Sequence, residues 1–507
     1  MSRMNPPPRA LRSLPAEGVV SPLGRPGVSD MDPRPLYQRV AHHYRGAIRS
    51  GVLVPGARMP SVRSLTRLHQ VSLSTALQAC RSLEDEGLLE ARPRSGYFVR
   101  MPRRAAMPPA NEPDPVKALD AAQYVGIHDR VSAFVAQSER HPVHTDFAAA
   151  YASVDAYPAE ALKNAAVRAL RRHPELLVKP VASPGDPGLR AVLARRALDA
   201  GMHLGVDEIV VTQGCIEALN IALRAVAQPG DTIAVESPTY YGLLQVLESL
   251  GLRALEIPTS PSAGISVDAL AFALQTQPGI KAVVVVPNLQ NPLSCTMPDA
   301  AKARLVALCE QHGLPLIEDD TYSAFHADDM PLRALKSFDR SGHVIHCASL
   351  RKTIAPGMRL GWMTGGRWQA RIEMLKYAQS RANEALSQIA MAGFIASSAH
   401  DRHLARLRRA LQRQREQMAD AIATHFPAGT RLSVPAGSML LWIELPGQRS
   451  ADAVFEAALA QGIRIAPGTL FSNSRRFDHF MRISCGTPFT SETDAGLRQL
   501  AAIVAAG

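Results

Sequence analysis

The sequence is poor in the cysteine patterns that mark disulfide-stapled domains and zinc sites. Its 507 residues include only six cysteines, and no two of them stand in a C-x-x-C arrangement. Small secreted domains pair many cysteines, and zinc sites typically use closely spaced ones. The scattered usage therefore indicates free thiols in a reducing cytoplasm, and no metal is expected from the sequence.

The sequence also lacks a long apolar run. Nothing in it approaches the roughly 18 consecutive apolar residues of a membrane span, and the longest run, "KAVVVVP" at 281–287, suits a buried parallel strand. The first 30 residues contain four arginines but no apolar stretch of the kind that secretory signals carry. The sequence therefore predicts neither a membrane segment nor export.

Positive charge is present in excess, and it is unevenly placed. The whole chain has a formal net charge of +11, and residues 36–100 contain ten arginines, no lysine and four acidic residues. A small cationic module attached to a larger, more balanced one suggests an anionic polymer as the partner. A solvated basic surface is the alternative, and charge alone does not separate the two.

The length and the changes in pattern along the chain indicate several parts. Residues 1–31 are rich in Pro, Gly, Ser and Arg and are expected to be disordered, whereas 34–100 form a compact patterned unit. Residues 101–140 are expected to be a Pro-rich linker and a connecting helix, helical from about 117. From 141 to 507, short apolar β-branched runs alternate with helical stretches, which predicts an α/β domain with a mostly parallel sheet. The runs are "EIVVT", "TIAVES", "KAVVVVP", "LPLIEDD" and "HVIHCAS".

The compact unit has the pattern of a small α+β winged helix-turn-helix. The first helix is predicted over 36–50, a second one opens at Ser61, and a third starts near Ser72 and ends at Gly87. The segment "LLEARPRSGYFV" then predicts two short strands around the turn "PRSG". The third helix has an inward apolar stripe at three- and four-residue spacing, formed by Ala76, Ala79, Cys80 and Leu83.

A helix of this size fits the major groove of DNA, and the residues at its N-terminus meet the base edges. The arginines of the preceding helix are placed for phosphate contact or guanine recognition, and the wing tip is small enough for a minor groove. The candidate DNA contacts are Arg63, Arg67, Ser72, Ser74, Thr75, Gln78, Arg94 and Gly96.

This unit resembles the GntR family of bacterial regulators. The resemblance rests on "GVLVPGARMPSVRSL", "VSLSTA" and "LEDEGLLEARPRSGYFV", and it covers the whole unit. It implies binding to double-stranded DNA. Many relatives carry Arg at the position of Leu73, where an apolar side chain would instead contact a thymine methyl group.

In the larger part, polar residues follow the apolar runs at the predicted carboxyl ends of parallel strands. Ligands of open α/β sheets bind at that edge. Taken singly, each residue has an ordinary explanation as a helix cap, a packing residue or a surface charge, and only the joint pattern favours a site. The residues that follow successive runs are Gly214, Tyr240, Asn291, Asp319, Tyr322 and Lys352.

These residue types suit a pyridine aldehyde cofactor that is held as a Schiff base. Lys352, beside cations, is easier to deprotonate, and its neutral amine condenses with an aldehyde. A carboxylate at Asp319 keeps the ring nitrogen protonated, so the ring withdraws electrons from the substrate carbon. Asn291 and Tyr322 would bind the phenolic oxygen of the ring, and Tyr240 would stack on the ring face. The phosphate would be bound by the backbone amides of Gly214, Cys215 and Ile216, together with Ser349 and Arg359.

The segment from about 141 to 500 resembles the fold-type I aminotransferases that bind pyridoxal 5′-phosphate. The resemblance rests on "SPGDPGLRAVLARR", "VTQGCIEALNIALRAVAQPGDTIAVESPTYYG", "VPNLQNPLSCTM", "IEDDTYSAFH", "SLRKTIAPGMRLGW", "PAGSMLLWIEL" and "MRISCG". It implies a smaller C-terminal α+β subdomain and a homodimer. It also implies that Lys352 forms the Schiff base, that Asp319 pairs with the pyridine nitrogen, and that Arg482 binds the substrate's α-carboxylate.

Several positions depart from the pattern of the aminotransferases. Cys215 and Ile216 stand where a hydroxyl residue and Gln are common, and Ser294 replaces the glycine of "NPTG". Arg351 precedes the lysine, where a small residue is usual, and it is a further candidate phosphate contact. The tyrosine that the neighbouring subunit usually donates to the phosphate is not evident before Gly185.

A GntR-like unit joined to an aminotransferase-like domain is the architecture of the MocR group of regulators. The first hypothesis is a cytoplasmic, homodimeric transcription factor that senses an amine, an amino acid or pyridoxal phosphate through the large domain. The alternative is an active aminotransferase that acts on an α-amino acid with a 2-oxo acid acceptor. A third is a scaffold in which the cofactor is only structural.

Overall fold

The structure is a computed structural model. It describes residues 35–50, 52–54, 56–86, 88–92, 95–100, 107–113, 119–326 and 331–506. The expected disordered extension over 1–31 lies outside the described residues. The chain divides into two compact units, residues 1–103 and residues 104–507.

The first unit contains three helices followed by a β-hairpin wing. The strands pair antiparallel, with Leu89 opposite Val99 and Arg92 opposite Gly96. The elements are α1 (Leu36–Arg49), α2 (Val62–His69), α3 (Leu73–Asp85), β1 (Leu89–Arg92) and β2 (Gly96–Val99). The predicted helix-turn-helix with a wing is confirmed.

Two serine caps determine where the second and third helices begin. The hydroxyl oxygen of Ser61 accepts a hydrogen bond from the backbone N–H of Ser64, and that of Ser72 accepts one from Thr75, both at 3.1 Å. Each cap satisfies an N–H group that has no partner within its helix. The predicted inward stripe of α3 is buried against α1 and α2: Ala76, Ala79, Cys80 and Leu83.

The second unit is built on a nine-stranded mixed sheet. Its strand order is β3-β7-β6-β9-β10-β11-β12-β5, and β8 pairs with β7. The five strands from β7 to β11 run parallel, whereas β12 is antiparallel to both of its neighbours. The strands of this sheet are β3 (Gln123–Tyr124), β5 (Val210–Thr212), β6 (Thr232–Ser237), β7 (Arg253–Ser260), β8 (Gly264–Ile265), β9 (Ile280–Val285), β10 (Leu316–Asp319), β11 (Val344–Ser349) and β12 (Gly361–Thr364).

Helices cover the sheet, and their apolar faces together with the strands form the main core. The helix α7 contributes more than one face, because Ala218, Leu219, Ile221, Ala222 and Leu223 are all buried. The helices of this unit are α4 (His128–Arg140), α5 (Ala159–Arg172), α6 (Pro187–Ala197), α7 (Cys215–Val226), α8 (Tyr241–Ser249), α9 (Val267–Thr276), α10 (Asp299–Gln311), α11 (Gln369–Gln379), α12 (Ala385–Ile395), α13 (Ser398–His425), α14 (Ala451–Leu459) and α15 (Ser491–Ala506). The predicted α/β fold with a mostly parallel sheet is confirmed.

The C-terminal part forms a smaller α+β layer with its own core. A four-stranded antiparallel sheet in the order β13-β14-β17-β16 packs with α13, α14 and α15. Its strands are β13 (Arg431–Ser433), β14 (Leu440–Glu444), β16 (Ala466–Pro467) and β17 (Phe480–Ser484), and β15 (Ile463–Arg464) pairs with β4 (Thr145–Asp146). Arg482 lies on β17 of this subdomain.

The segment predicted as linker and connecting helix over 101–140 differs from that prediction. The backbone N–H of Leu432 donates to the carbonyl of Pro108, and Asn111 donates to the Glu444 carboxylate at 2.6 Å. Further along, β3 joins the edge of the large sheet, and α4 begins at His128 rather than near 117. Val131 of α4 lies in the main core and Phe134 packs against it, so the described residues of 107–140 pack as part of the second unit, while 101–106 and 114–118 lie outside the described residues. No helix in the described part of the chain is long and apolar enough to cross a membrane.

Candidate functional site

The carboxyl ends of the central strands bring most of the predicted site residues around one cavity. Five strands of the sheet, β5, β6, β9, β10 and β11, deliver side chains there directly or through the segments that follow them, as expected for an open α/β sheet. The predicted residues that line the cavity are Cys215, Ile216, Tyr240, Asn291, Asp319, Tyr322, Ser349, Arg351 and Lys352. Gly214, Arg359 and Arg482 do not line it.

Asp319, the last residue of β10, is buried and held by three donors. The Cys215 thiol donates to its Oδ1 atom at 3.1 Å, and Thr321 donates through its hydroxyl at 2.6 Å and its backbone N–H at 3.1 Å. Burial raises the pKa of Asp319, and these donors oppose that shift by stabilising the carboxylate. Because all three reach Oδ1, the second oxygen, Oδ2, remains available to a ligand.

Lys352 follows β11 and is partly buried. Its Nζ atom donates to the carbonyl of Ala150 at 2.9 Å. Burial, followed by the nearby guanidinium groups of Arg482 and Arg351, lowers the pKa of Lys352 to about 7, while Asp319 acts in the opposite direction. A large fraction of this amine is therefore neutral, and able to act as a nucleophile, near neutral pH.

Arg482 lies behind the cavity and is almost completely buried. Its Nη1 atom donates to the Oδ1 atom of Asn291 at 2.9 Å, and its Nη2 atom donates to the carbonyl of Ala148. Its Nε atom is buried without a hydrogen-bond partner among the described residues. Burying a guanidinium N–H group without an acceptor costs free energy unless a ligand accepts its hydrogen bond. A carboxylate could do so, and it carries the opposite charge.

The start of α7 and the turn after Lys352 meet closely at the other end of the cavity. Gly214 caps α7 with φ 83°, and a side chain on Gly361 would stand 2.7 Å from the Gly214 Cα atom. Arg351 packs against Gly214, and its Nε atom is buried and unpartnered within the described part of the chain. Arg359 lies on the same turn but is exposed.

In the "NPLS" segment, Ser294 replaces a glycine but keeps the backbone conformation that a glycine would favour. Ser294 has φ 57°, in the left-handed region. The side chain is buried, and its hydroxyl donates to the carbonyl of Leu440 at 3.1 Å. This contact with β14 ties the segment that carries Asn291 to the C-terminal subdomain.

The structure adds Tyr151, which the sequence analysis missed. Its ring centroid lies 3.5 Å from the Lys352 Nζ atom, and its hydroxyl accepts a hydrogen bond from Arg351 at 2.9 Å. The cavity that remains has a volume of about 60 Å³, far below the roughly 300 Å³ at which ligand pockets typically begin. Tyr151 has no strand or motif before it that would have identified it, because its partners lie about 200 residues away.

A buried ion pair behind the site was also missed. The Nδ1 atom of His346 on β11 is 2.9 Å from a Glu318 carboxylate oxygen on β10, next to Asp319. Burial is the largest single influence on the pKa of His346 and lowers it. The charge and hydrogen bond of Glu318 act in the opposite direction, and the pKa is raised as a result. The other ring nitrogen, Nε2, is buried without a partner among the described residues.

The candidate DNA contacts of the first unit lie on its surface. Arg63 and Arg67 on α2, Ser74 and Gln78 on α3, and Gly96 at the start of β2 are exposed. Arg94 lies outside the described residues. The side chains of Ser72 and Thr75 are also held by contacts within the first unit. The Ser72 hydroxyl caps α3, and it lies 2.8 Å from the hydroxyls of Ser74 and Thr75.

One more exposed residue shares the outer face of α3. Arg81 lies seven residues after Ser74 and three after Gln78, the spacing of one helix face, and all three are exposed. Leu73 is 59% exposed at the start of the same helix. Arg81 was not among the candidates predicted from the sequence, although the helical period alone would have placed it on this face.

Comparison with known proteins matches both units. The family of aminotransferase class I and II matches residues 154–499, and that of bacterial regulatory proteins of the gntR family matches residues 36–99. The uncharacterized HTH-type transcriptional regulator YjiR of Escherichia coli K12 is 35% identical over 470 residues, which cover 92% of this chain and 97% of that protein.

Two further comparisons agree with this division. The probable rhizopine catabolism regulatory protein MocR of Rhizobium meliloti is 26% identical and covers 88% of each chain. Among solved structures, the α-aminoadipate aminotransferase LysN of Thermus thermophilus has the same fold, with a TM-score of 0.68 and 24% identity over 74% of this chain and 94% of that chain. The chain belongs to the MocR-type family of transcriptional regulators, in which a gntR-family helix-turn-helix domain is joined to an aminotransferase class I and II domain.

Proposed function

We propose that this regulator binds double-stranded DNA through its first unit and senses an amine or amino acid, or pyridoxal 5′-phosphate itself, in its second unit. The observation that carries the proposal is the cavity in which Lys352, with a pKa lowered to about 7, lies beside the buried carboxylate of Asp319. Such a pair has little use in a structural scaffold, because both groups lose solvation and do not bond to each other.

The residues present fit pyridoxal phosphate chemically. Asp319 would accept a hydrogen bond from the protonated ring nitrogen through its Oδ2 atom, and Asn291 and Tyr322 would bind the phenolic oxygen. Tyr240 would lie on the ring face. The phosphate would be held at the start of α7 by the Gly214, Cys215 and Ile216 amides with Ser349, Arg351 and Arg359. When bound, the cofactor supplies an electron-withdrawing ring for a substrate amine.

Lys352 and Arg482 would divide the recognition of an amino acid between them. Lys352 is poised near neutral pH to lose or accept a proton at Nζ, which is the proton that the amine chemistry has to move. Arg482 keeps one buried donor, Nε, free for a carboxylate. Asn291, which accepts from Arg482, orients the guanidinium toward the cavity.

Regulation requires that the ligand favours one arrangement of the two units over another. A ligand that binds both arrangements equally shifts nothing, however tightly it binds. We infer a homodimer in the cytoplasm, because two copies would present two α3 helices to two half-sites of an operator. A ligand at Lys352 would then change how the two helices are spaced.

The experiment is a titration of the full-length protein with its own upstream DNA at fixed salt. Binding is measured with and without pyridoxal phosphate, and then with a pool of amino acids. Operator-specific binding that changes with cofactor or amine is the expected result. Binding only at the level of unrelated DNA, insensitive to both, would refute the proposal.

A second candidate function is transamination of an α-amino acid with a 2-oxo acid. It is favoured by Arg482, whose buried free donor is suited to a substrate carboxylate. Sustained turnover of an amino acid with 2-oxoglutarate that Lys352→Ala abolishes would establish the enzyme. A change in the cofactor's visible spectrum without turnover would indicate the sensor, and no change with amines would indicate a structural cofactor.

A further inference from the structure

The long helix α13 carries four exposed arginines on one face. They stand at positions i, i+4, i+7 and i+11, which places them in one row along the helix. The opposite side of the helix is buried and includes His403, Leu407, Leu411 and Met418. The arginine face consists of Arg402, Arg406, Arg409 and Arg413.

None of these four arginines forms an ion pair within the described part of the chain. Arg402 donates to the Ser398 hydroxyl at 2.8 Å, and Arg406 lies 3.5 Å from a ring nitrogen of His403. The acidic residue in the first turn, Asp401, is already paired with Arg196 at 2.9 Å. The arginine face therefore presents positive charge to the solvent without an ion pair among the described residues, although Glu416 is exposed three residues after Arg413.

The stability of the helix does not explain this arrangement. Like charges three and four residues apart repel each other and destabilise a helix. An external anion that spans the row would relieve this repulsion.

We propose that the arginine face of α13 binds the phosphate backbone of the DNA that the first unit recognises. Its four residues span about 17 Å at the helical rise of 1.5 Å per residue. Duplex DNA carries one negative charge per about 1.7 Å of its axis when both strands are counted, so a stretch of duplex as long as the row carries about ten phosphate charges, about five on each strand. Arginine is the residue best suited to such contacts, because its planar group binds phosphate oxygens in pairs.

The second unit would therefore add sequence-independent affinity to the contacts of α3. Phosphate contacts fix the orientation of a protein on DNA without reading its sequence. A ligand that rearranges the second unit would then act on DNA binding directly, through the position of this face. The inference rests on the proposed DNA-binding function.

The test is a fourfold Arg→Gln variant of the arginine face in the full-length protein. Gln is a good helix former, and the substituted side chains are exposed, so the fold is expected to persist. A matched control, Arg168→Gln, Arg171→Gln, Arg172→Gln and Lys179→Gln, removes the same charge from four exposed residues elsewhere on the second unit. Far-UV circular dichroism and the melting temperature check the fold of both variants.

The readout is the dependence of DNA affinity on salt concentration. Each lost phosphate contact lowers the slope of log K against log salt by about 0.9, so the variant should lose about 3 to 4 in slope. Affinity should fall on operator and unrelated DNA alike, while the control keeps the wild-type slope. An unchanged slope, or an equal fall in the control, would overturn the inference.

A separate variant distinguishes this outcome from failure of the proposed function. Arg63→Gln removes a candidate contact of the first unit. If Arg63→Gln weakens binding while the fourfold variant binds like the wild type, only the arginine face is refuted. If the wild-type protein itself binds its operator no better than unrelated DNA, the proposed DNA-binding function is refuted, whatever the fourfold variant does.

Discussion

The aromatic ring of Tyr151 covers the amine of Lys352, with 3.5 Å between the ring centroid and the Nζ atom. The same side chain accepts a hydrogen bond from Arg351, so it links the residue that would carry the cofactor to a candidate phosphate contact. The ring also limits the space in the cavity. A ligand the size of pyridoxal phosphate therefore has to turn this ring aside.

We predict that Tyr151→Ala binds pyridoxal phosphate faster than the wild type. Removing the ring opens the cavity and removes a desolvated cation–π contact worth about 1–2 kcal/mol, which corresponds to about a tenfold increase in rate. Stopped-flow measurement of the cofactor's visible absorbance follows the reaction. Tyr151→Phe keeps the ring and is the matched control, expected to behave like the wild type. Equal rates for Ala and wild type would show that the ring is no barrier.

The reaction of Lys352 with pyridoxal phosphate should depend on pH around neutrality. The pKa of Lys352 is lowered to about 7, chiefly by burial, so the reactive neutral amine is scarce below that pH and dominant above it. The rate should therefore rise through about pH 7 and level off above about pH 8, where little protonated amine remains. Rates measured from pH 6 to 9 by absorbance, or by borohydride trapping and mass spectrometry, test this.

Arg351→Gln provides the control for that pH profile. The Arg351 guanidinium contributes to the lowered pKa of Lys352, after burial and Arg482. Removing this charge should move the rise of the rate to higher pH. A profile centred near the ordinary lysine value of about 10.4 in the wild-type protein would contradict the burial of this amine.

Arg482 should decide whether a carboxylate is needed in the ligand. We predict that Arg482→Gln weakens binding of an α-amino acid by about 10- to 100-fold, because a hydrogen bond to a charged group contributes about 1.5–3 kcal/mol. The corresponding amine without a carboxylate should bind both proteins equally. Spectral titration of the cofactor-loaded protein measures both affinities. Because Arg482 is buried, Arg482→Lys serves as a second variant that retains the charge. Equal losses for amino acid and amine would indicate a structural effect.

Arg63 on α2 should contribute a phosphate contact. Arg63→Gln is expected to weaken binding to operator and unrelated DNA similarly and to reduce the salt slope by about 1. Arg140, exposed at the end of α4 in the other unit, is a matched control for the loss of one surface arginine. If Arg63→Gln changes the preference among operator sequences but leaves the slope unchanged, Arg63 contacts a base rather than a phosphate.

The part of the fold that was predicted from the sequence rests on local patterns of apolar residues. The five quoted apolar runs of the second unit all became strands of the large sheet, because continuous β-branched segments have few alternatives to a buried strand. The strands β7 and β12 were not predicted from the sequence. The latter is short, starts at a glycine and runs antiparallel, and its neighbours in the sheet are not both its neighbours in the sequence.

The region from 107 to 140 shows where composition misled the prediction. Prolines indicated a linker, yet the backbone there bonds to β13 and to the Glu444 carboxylate on β14. Proline removes a donor but leaves its carbonyl free to accept, as Pro108 does. Composition shows only that proline lacks an N–H donor. The tertiary structure shows that the carbonyl of Pro108 accepts a hydrogen bond from Leu432.

By itself the sequence determined the two-part architecture, the helix-turn-helix with its capped helices, and the set of polar residues that follow the strands. These depend on caps, periodicity and strand runs, which act over a few residues. The tertiary structure alone decided that Tyr151 covers Lys352, that Arg482 reaches Asn291 from another sheet, and that the arginine face of α13 has no acidic partner among the described residues. Those contacts join residues up to about 200 positions apart, and no local interaction specifies them.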